Sequence, residues 1–282
     1  MSEPIVVVTG ATGLLGPYLT AAGKNQNRVF GLARRGTDID CDLCDPDQTL
    51  AAVGKLRPDL VIHAAAYTDV DGCEDDPIQA DRVNHLATAS LAKAMNGHGH
   101  LVCVSTDQVY GDTAGPNVEG DEAPVNAYGR SKLAGELAAL NGHPKTTVVR
   151  TNIFGPSRTN GRKSLSDFVV ESLTTGRRIT LFTDVLFSPL HMATLAKTVF
   201  EMAAKNISGV FNVGSRGGMS KRDFGHLVAQ HFNLGTESAT DGVSSAVLGR
   251  AARPRDLRMD VRKVEAALGR PMPTCEEQIA LL

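Results

Sequence analysis

Apolar and amphipathic segments alternate through the first half of the chain. Ile5–Val8 is an uninterrupted β-branched run, and further strand-like runs occur at Arg28–Leu32, Leu60–His63 and Leu101–Ser105. Short apolar runs bounded by turn residues are typical of parallel strands that are buried on both faces. In Arg82–Met95, apolar residues recur every three or four positions, which is the spacing of one helix face. The alternation predicts an α/β fold, a Rossmann-like doubly wound parallel sheet.

Three glycines follow the first predicted strand. Gly10, Gly13 and Gly16 stand at every third position of the stretch GATGLLG, where a helix is predicted to begin. Glycine lets a backbone bend sharply and approach a ligand closely, and the free N–H groups of a helix start attract anions. A tight turn alone would also require glycine. The combination of strand, spaced glycines and helix favours the diphosphate site of a dinucleotide.

Two arginines occupy the place where an NAD-binding protein usually has an acidic residue. Arg34 and Arg35 follow the second predicted strand, where a carboxylate would hold the ribose hydroxyls of NAD. Guanidinium groups suit the additional 2′-phosphate of NADPH instead. We therefore expect NADPH as the cofactor and keep NADH as the second choice. A solvated pair of loop arginines is the alternative interpretation.

A tyrosine and a lysine share one face of a predicted helix that continues to about Asn141. Tyr128 and Lys132 are four residues apart, so they differ by only about 40° around the helix axis. A neighbouring ammonium lowers the pKa of a phenol, which is ordinarily about 10. Tyr128 would then donate a proton to a carbonyl oxygen as a hydride reaches the carbon. Thr106 ends another predicted strand and would hydrogen-bond the same oxygen, so these three residues are predicted to be catalytic.

Composition narrows the class of ligand. The 282 residues include 29 basic and 31 acidic side chains, so no overall field favours nucleic acid or an anionic membrane. A chain of this length can bury a full core without disulfides or metal. No apolar stretch reaches the roughly 20 residues of a membrane span, and the N-terminus lacks a signal pattern, so we expect a cytoplasmic protein. The C-x-x-C pair Cys41 and Cys44 is a weak zinc signal by itself, and we assign no metal ligands.

The second half of the chain is predicted to build a smaller lobe. Residues 1–152 would form the NAD(P)-binding domain, with a return to the sheet near 188–214, and 153–187 with 215–282 would form a C-terminal substrate-binding lobe. Pro156–Gly161 is rich in turn formers and is expected to be a mobile loop. Helices are predicted near Gly13–Lys24, Pro46–Leu56, Lys163–Thr175, Leu190–Lys205, Ser220–Phe232 and Asp260–Leu268, and Val210–Gly214 is predicted to rejoin the sheet.

Several motifs together resemble the dTDP-4-dehydrorhamnose reductases, a family of the extended short-chain dehydrogenases/reductases. The segments are VTGATGLLG, HAAAYTDVDGCED, STDQVYG, EAPVNAYGRSK, VVRTNIFG and RPRDLRMDVRKVEAALG, and they run from residue 6 to about 269. The resemblance implies reduction of the keto group at carbon four of a nucleotide-linked 6-deoxyhexose with NAD(P)H. It implies a nucleotide-sugar substrate and allows a homodimer.

Individual residues can be assigned to the two ligands. By resemblance, Asp42 and Leu43 would contact adenine, and Arg253 would contact a substrate phosphate. Members commonly carry an aromatic residue where this chain has Ile153. Asn84 is either a brace behind the site or part of a core hydrogen bond. The predicted cofactor residues are Gly10, Thr12, Gly13, Leu14, Leu15, Gly16, Arg34, Arg35, Asp42, Leu43, Ala64, Ala65, Ala66, Tyr67, Tyr128 and Lys132, and the predicted substrate residues are Thr106, Asp107, Tyr128, Ile153 and Arg253.

Two other functions compete with the reductase. One is a nucleotide-sugar epimerase or dehydratase of the same branch. Dehydratases generally have Asp-Glu after the threonine, whereas this chain has Asp107 and Gln108, and an amide cannot supply the proton for water elimination. The other is a non-catalytic regulatory subunit resembling that of methionine adenosyltransferase. Retention of Thr106, Tyr128 and Lys132 favours the enzyme.

Overall fold

The structure is a computed structural model that describes residues 3–24, 27–246 and 249–282. Its strands are β1 (Ile5–Thr9), β2 (Arg28–Ala33), β3 (Ile39–Asp40), β4 (Leu60–His63), β5 (His100–Val104), β6 (Thr146–Arg150), β7 (Ile153–Phe154), β8 (Ile179–Phe182), β9 (Leu186–Phe187), β10 (Leu190–His191), β11 (Gly209–Asn212), β12 (Met219–Ser220), β13 (Ala239–Gly242) and β14 (Asp256–Leu257). Its helices are α1 (Gly16–Gly23), α2 (Pro46–Leu56), α3 (Val70–Asp75), α4 (Pro77–Asp81), α5 (Ala87–Ala94), α6 (Ala127–Gly142), α7 (Leu165–Thr174), α8 (Met192–Ala204), α9 (Lys221–His231), α10 (Arg262–Leu268) and α11 (Cys275–Ile279). A π-helical turn, Arg82–Leu86, joins α4 to α5.

A seven-stranded sheet runs through the centre of the molecule in the order β11-β6-β5-β4-β1-β2-β3. All pairings in it are parallel; Val7 of β1, for example, lies between Phe30 of β2 and Val61 of β4. The chain builds outward from β1 in one direction through β3 and then in the other from β4. Open α/β sheets bind ligands in the crevice where the strand order reverses, here between β1 and β4. The predicted doubly wound sheet is confirmed.

The first four residues of β1, Ile5–Val8, are all apolar because helices cover both faces of the strand. Val6 and Val8 are fully buried against Leu19 of α1 and other residues of one core, whereas Val7 lies in a second core with Leu91 of α5. Alternate side chains of a strand point to opposite faces, so burial on both sides requires an unbroken apolar run. The pattern of Ile5–Val8 therefore follows from its central place in the sheet.

The C-terminal part has a core of its own. Phe154, Phe187 and Phe224 belong to a third apolar cluster, which also includes residues of α7 and β8. Around it lie small sheets with the orders β10-β7, β12-β9-β14 and β13-β8. Helix α10 differs from its sequence neighbours, because Val264 and Leu268 pack into the core under the main sheet. Within the described ranges, no helix is long and apolar enough to cross a membrane.

The predicted helices occur, with shifted ends where local chemistry sets the boundary. Helix α2 begins at Pro46 as predicted, because the Asp45 side chain accepts hydrogen bonds from the backbone N–H groups of Asp47 and Gln48. Helix α1 begins at Gly16 rather than Gly13, since the preceding residues form the turn itself. The two-residue strands of the lobe were not predicted, because segments so short show no periodicity.

Candidate active site at the crevice between β1 and β4

A cavity of about 900 Å³ lies at the carboxyl ends of β1, β2, β4 and β5, where the strand order reverses. This volume is within the usual range for small-molecule sites. Arg35, Asp107 and Arg253 lie outside its lining, and all other predicted site residues take part in it. Those residues are Gly10, Thr12, Gly13, Leu14, Leu15, Gly16, Arg34, Asp42, Leu43, Ala64, Ala65, Ala66, Tyr67, Thr106, Tyr128, Lys132 and Ile153.

Two glycines permit a close approach of backbone segments at the base of the cavity. Gly10 has a φ of +67°, and a Cβ there would lie 2.7 Å from the Ala65 nitrogen. A Cβ on Gly16 would lie 2.5 Å from the Ala11 and Gly10 carbonyl oxygens. Such distances exclude every other residue type unless the backbone moves. The turn is therefore shaped by contact with the end of β4 as well as by its own dihedral angles.

The same turn presents an anion-binding surface. In the described ranges, the backbone N–H groups of Leu14 and Leu15 have no hydrogen-bond partner, and both residues line the cavity just before α1 begins. Four basic residues and two acidic residues line the cavity, so it has an excess of positive charge. They are Arg34, Arg82, Lys132, Arg162, Asp42 and Asp69. Exposed N–H groups at a helix start and surplus guanidinium groups fit a dinucleotide that carries several phosphates.

The three predicted catalytic residues meet at one side of the cavity. Thr106 follows β5, and its side chain accepts a hydrogen bond from the Gln108 backbone N–H at 3.2 Å. Tyr128 and Lys132 project from the first turns of α6 and are nearly buried, with 8% and 4% of their surface exposed. The Lys132 Nζ donates to the Val104 carbonyl oxygen at 2.8 Å, which fixes the ammonium beside the strand end. The shared helix face predicted from the spacing is thus realised inside the cavity.

Burial raises the pKa of Tyr128 above its ordinary value, and a hydrogen bond with the Thr106 side chain opposes this shift only in part. The net direction is opposite to the lowering of the Tyr128 pKa that was expected from Lys132. Desolvation penalises the phenolate, and the nearby Asp107 carboxylate raises the pKa of the phenol further. The side chain is therefore protonated at neutral pH and is ready to donate a proton.

Asn84 braces the site from behind. Its side-chain oxygen accepts from the Tyr67 backbone N–H at 2.8 Å, and its Nδ2 donates to the Tyr67 carbonyl oxygen and to the Ser131 Oγ, both at 3.0 Å. The Ser131 hydroxyl in turn donates to the Tyr128 carbonyl oxygen at 2.9 Å. One amide therefore links the segment after β4 to the helix that carries Tyr128. Both sequence interpretations of Asn84 describe this one arrangement.

Asp107 lies beneath the cavity rather than in its wall. Its side chain is 1% exposed and accepts hydrogen bonds from Asn152 Nδ2 at 2.7 Å and from Thr106 Oγ1 at 3.3 Å. Burial raises the pKa of Asp107 to about 6, although both hydrogen bonds favour the carboxylate. In this position it orients Thr106 and Asn152, which do line the cavity. Gln108 accepts a hydrogen bond from Asn126 Nδ2 at 3.1 Å.

Arg253 is held in a two-pronged ion pair with Asp71. Its NH1 and NH2 groups each donate to one oxygen of that carboxylate at 2.9 Å, and the pairing lowers the pKa of Asp71 to about 2. The segment is tied to the catalytic helix, because Asn126 Nδ2 donates to the Ala252 carbonyl oxygen at 2.8 Å. A substrate phosphate that binds Arg253 must share the guanidinium with Asp71.

A loop of the lobe, residues 156–162, lies against the glycine turn. The Thr159 hydroxyl donates to the Gly13 carbonyl oxygen at 3.0 Å, and the Tyr18 hydroxyl donates to the Pro156 carbonyl oxygen at 2.6 Å. The Arg158 guanidinium lies 4.0 Å from the centre of the Tyr18 ring. This segment was expected to be mobile from its turn formers, yet several contacts anchor it. Its Arg162 lines the cavity, which no sequence signal indicated.

Cys41 and Cys44 line the cavity as free thiols, and burial raises the pKa of both. Among the residues that the structure describes, no group of three or more histidine, cysteine, aspartate or glutamate side chains is arranged to hold a metal ion.

The chain is similar to known proteins in both sequence and fold. The profile of the family described as RmlD substrate binding domain matches residues 4–282. The chain is 35% identical to the probable low-salt glycan biosynthesis reductase Agl14 of Haloferax volcanii, over 98% of this chain and 96% of that protein. It is 36% identical to the dTDP-4-dehydrorhamnose reductase of Mycobacterium tuberculosis, over 88% and 81%. The crystal structure of dTDP-4-dehydrorhamnose reductase from Bacillus anthracis in complex with NADP has the same fold, with a TM-score of 0.90, 24% identity and coverage of 99% and 98%.

Fold, site and relatives together define an NAD(P)-dependent oxidoreductase, as the sequence predicted. The chain belongs to the RmlD substrate binding domain family. Its resemblance to the dTDP-4-dehydrorhamnose reductases, seen first in the motifs, is confirmed. The epimerase, dehydratase and regulatory-subunit interpretations are not favoured.

Proposed function

We propose that the protein is an NADPH-dependent reductase of the 4-keto group of a nucleotide-linked 6-deoxyhexose. The observation that carries this proposal is that Thr106, Tyr128 and Lys132 line the same cavity as the glycine turn. A proton donor and an anion cradle in one crevice suit carbonyl reduction by a dinucleotide cofactor.

The cofactor, when bound, supplies the hydride that the carbonyl carbon accepts. As the carbon–oxygen π bond opens, its electron pair takes the proton from the Tyr128 hydroxyl, and a phenolate remains. The Thr106 hydroxyl would turn its proton from Asp107 to the same oxygen and hold that oxygen in place, and the Lys132 ammonium would stabilise the phenolate until solvent returns the proton. Atoms and charge balance, because one hydride and one proton convert the ketone to an alcohol.

Different parts of the cavity would bind different parts of the cofactor. The N–H groups of Leu14 and Leu15 would bind its diphosphate, and Asp42 and Leu43 would contact adenine. Arg34 lies in the wall beyond β2, where an arginine favours the 2′-phosphate of NADPH over the free ribose hydroxyls of NADH. NADH is the second choice in this proposal.

The substrate would enter from the lobe side. Ile153 lines the cavity at the start of β7, where many relatives of this kind carry an aromatic residue, so we expect a smaller or differently shaped contact with the sugar. Arg253 would meet a phosphate of the nucleotide, and Asp107 would act through Thr106. The lobe in this proposal comprises 153–187 and 215–282, although α10 packs with the sheet domain.

Assembly and location belong to the same proposal. Ile78, Leu86 and Leu137 are exposed apolar side chains on the segment 77–86 and on α6, which pack against each other. We propose that this surface joins two copies of the chain as a homodimer.

All five cysteines are free thiols, which suits the reducing cytoplasm. Light scattering and cell fractionation test the two points.

The decisive experiment follows NADPH oxidation by nicotinamide absorbance, with dTDP-4-keto-6-deoxy sugars generated in situ and NADH in a parallel reaction. We expect turnover with both cofactors and a preference for NADPH, and an alcohol at carbon four in the product. Tight cofactor binding without oxidation of any 4-keto sugar nucleotide would contradict the proposal and would favour a binding role.

A further inference from the structure

Arg82 lines the cavity at the end where the resemblance places adenine, although no sequence pattern singled it out. It is the first residue of the π-helical turn, and Gln79, Val83 and Ala87 of the same helical segment also line the cavity. Residues at these intervals of three and four share one face of a helix. The backbone therefore directs this face, with its single guanidinium group, toward the cavity.

The segment 41–44 contacts the Arg82 backbone and also lines the end of the cavity where adenosine would bind. The Cys44 Sγ lies 3.9 Å from the Arg82 carbonyl oxygen, and Asp42 and Leu43 line the wall beside it. The pKa of Cys44 is raised by burial and by Asp42, whereas Arg82 and Arg34 both lower it. Two guanidinium groups, one after β2 and one on the helix, thus act on the same thiol.

Neither guanidinium group is neutralised by a carboxylate. Arg253 and Arg255 of the lobe, for comparison, form ion pairs with Asp71 and Asp112. In residues 3–24, 27–246 and 249–282, Arg34 and Arg82 form no such pair. The nearby carboxylate of Asp42 accepts from its own loop, at 3.0 Å from the Cys44 nitrogen. Two unpaired cations at one end of a cavity favour a compact ligand with two negative charges.

We propose that Arg34 and Arg82 together bind the 2′-phosphate of NADPH, and that Arg82 is a residue that determines the preference for NADPH over NADH. This inference rests on the cofactor of the proposed function. The sequence had paired Arg34 with Arg35, but Arg35 lies outside the cavity lining, whereas Arg34 and Arg82 are part of it. The second cation comes from the helical segment after β4.

Calorimetric titration of the full chain with two probes tests the assignment. Adenosine 2′,5′-bisphosphate carries the phosphate in question, and 5′-AMP lacks it. In Arg82→Ala we expect affinity for the bisphosphate to fall about tenfold or more and affinity for 5′-AMP to change less than about threefold. Arg82→Lys should recover part of the loss, because it keeps the charge but not the planar fork.

Arg178→Ala is the matched control, since it removes an exposed arginine of the lobe, and Arg35→Ala tests the neighbour that the sequence favoured. Arg178→Ala should bind the two probes as the unaltered protein does. A selective loss of bisphosphate affinity in Arg35→Ala and not in Arg82→Ala would support the pair that the sequence favoured and would overturn the inference. Equal weakening of both probes in Arg82→Ala would mean that Arg82 stacks on adenine, and unchanged binding would mean that it is merely solvated; either result overturns the inference. Neither titration requires a sugar substrate, so a failure to reduce any keto sugar would leave the result intact.

Discussion

The cofactor end and the substrate end of the cavity are built in different ways. At the cofactor end, main-chain segments approach so closely that Gly10 and Gly16 leave no room for a Cβ. Near the proposed substrate end, the residues that support the cavity from outside its lining are held in place by side-chain pairs. Examples are Arg253 with Asp71 and Asp107 with Asn152. Packed backbone resists rearrangement, whereas an ion pair exchanges partners at low cost. For the proposed function, we therefore expect a rigid cofactor site and a more adaptable substrate site.

The largest expected effect lies where the two ends meet. Tyr128→Phe removes the proton donor and should lower turnover by about 10²- to 10⁴-fold, while NADPH affinity stays within about threefold. Steady-state kinetics and a cofactor titration separate the two quantities. Tyr110→Phe is the control, because its hydroxyl is also buried but donates to Asn212 outside the cavity. Normal turnover in Tyr128→Phe would contradict the proposed mechanism.

Gly10→Ala tests the rigid cofactor site directly. A Cβ 2.7 Å from the Ala65 nitrogen forces the turn away from β4, so we expect NADPH affinity to fall by about 100-fold or more. Gly176→Ala is the matched control, since its φ of +68° is nearly that of Gly10 but open space surrounds it. It should cost about 1–2 kcal/mol of stability and leave cofactor binding unchanged. Equal binding losses in the two variants would refute the role of the close approach.

Asp107 should make stability depend on pH. Its pKa is raised from 3.8 to about 6 in the folded protein, so the folded state binds more protons than the unfolded state between these values. Its contribution to stability is present in full below pH 3.8 and is lost as the pH rises through about 6. Asp107→Asn should remove this dependence. Relative to its value at acidic pH, the free energy of unfolding of the variant at pH 7.5 should be about 2–3 kcal/mol higher than that of the unaltered protein. Urea unfolding at pH 4.5 and 7.5 measures it, and parallel pH profiles for both proteins would contradict it.

The smallest effect is expected at the more adaptable substrate site. Arg253→Ala should raise the KM for the sugar nucleotide about tenfold with little change in kcat or in NADPH affinity, because one charged contact is lost from substrate binding. Arg255→Ala is the comparison, since it also removes an arginine paired with a carboxylate, Asp112, but its side chain is 62% exposed, whereas that of Arg253 is 28% exposed. An unchanged KM in Arg253→Ala would assign the Asp71 pair a purely structural role.

Sequence reasoning was most successful where the pattern is local. The glycine turn and the pair Tyr128 and Lys132 lie within single elements, and their spacing fixes their relative positions. Arg82 and Arg162 carried no such signal, because each reaches the cavity from an element far away in the chain. The direction of the Tyr128 pKa was also missed, since burial depends on everything that surrounds the ring.

The sequence by itself determined the parallel sheet, the turn after β1 and the shared helix face of the catalytic pair. These follow from runs, spacing and glycine positions, which act over a few residues. Only the tertiary structure decided that Arg253 pairs with Asp71, 182 residues away, and that the loop 156–162 lies on the glycine turn. Such contacts depend on how the lobe and the sheet pack against each other, and side-chain chemistry alone does not specify which distant partners will meet.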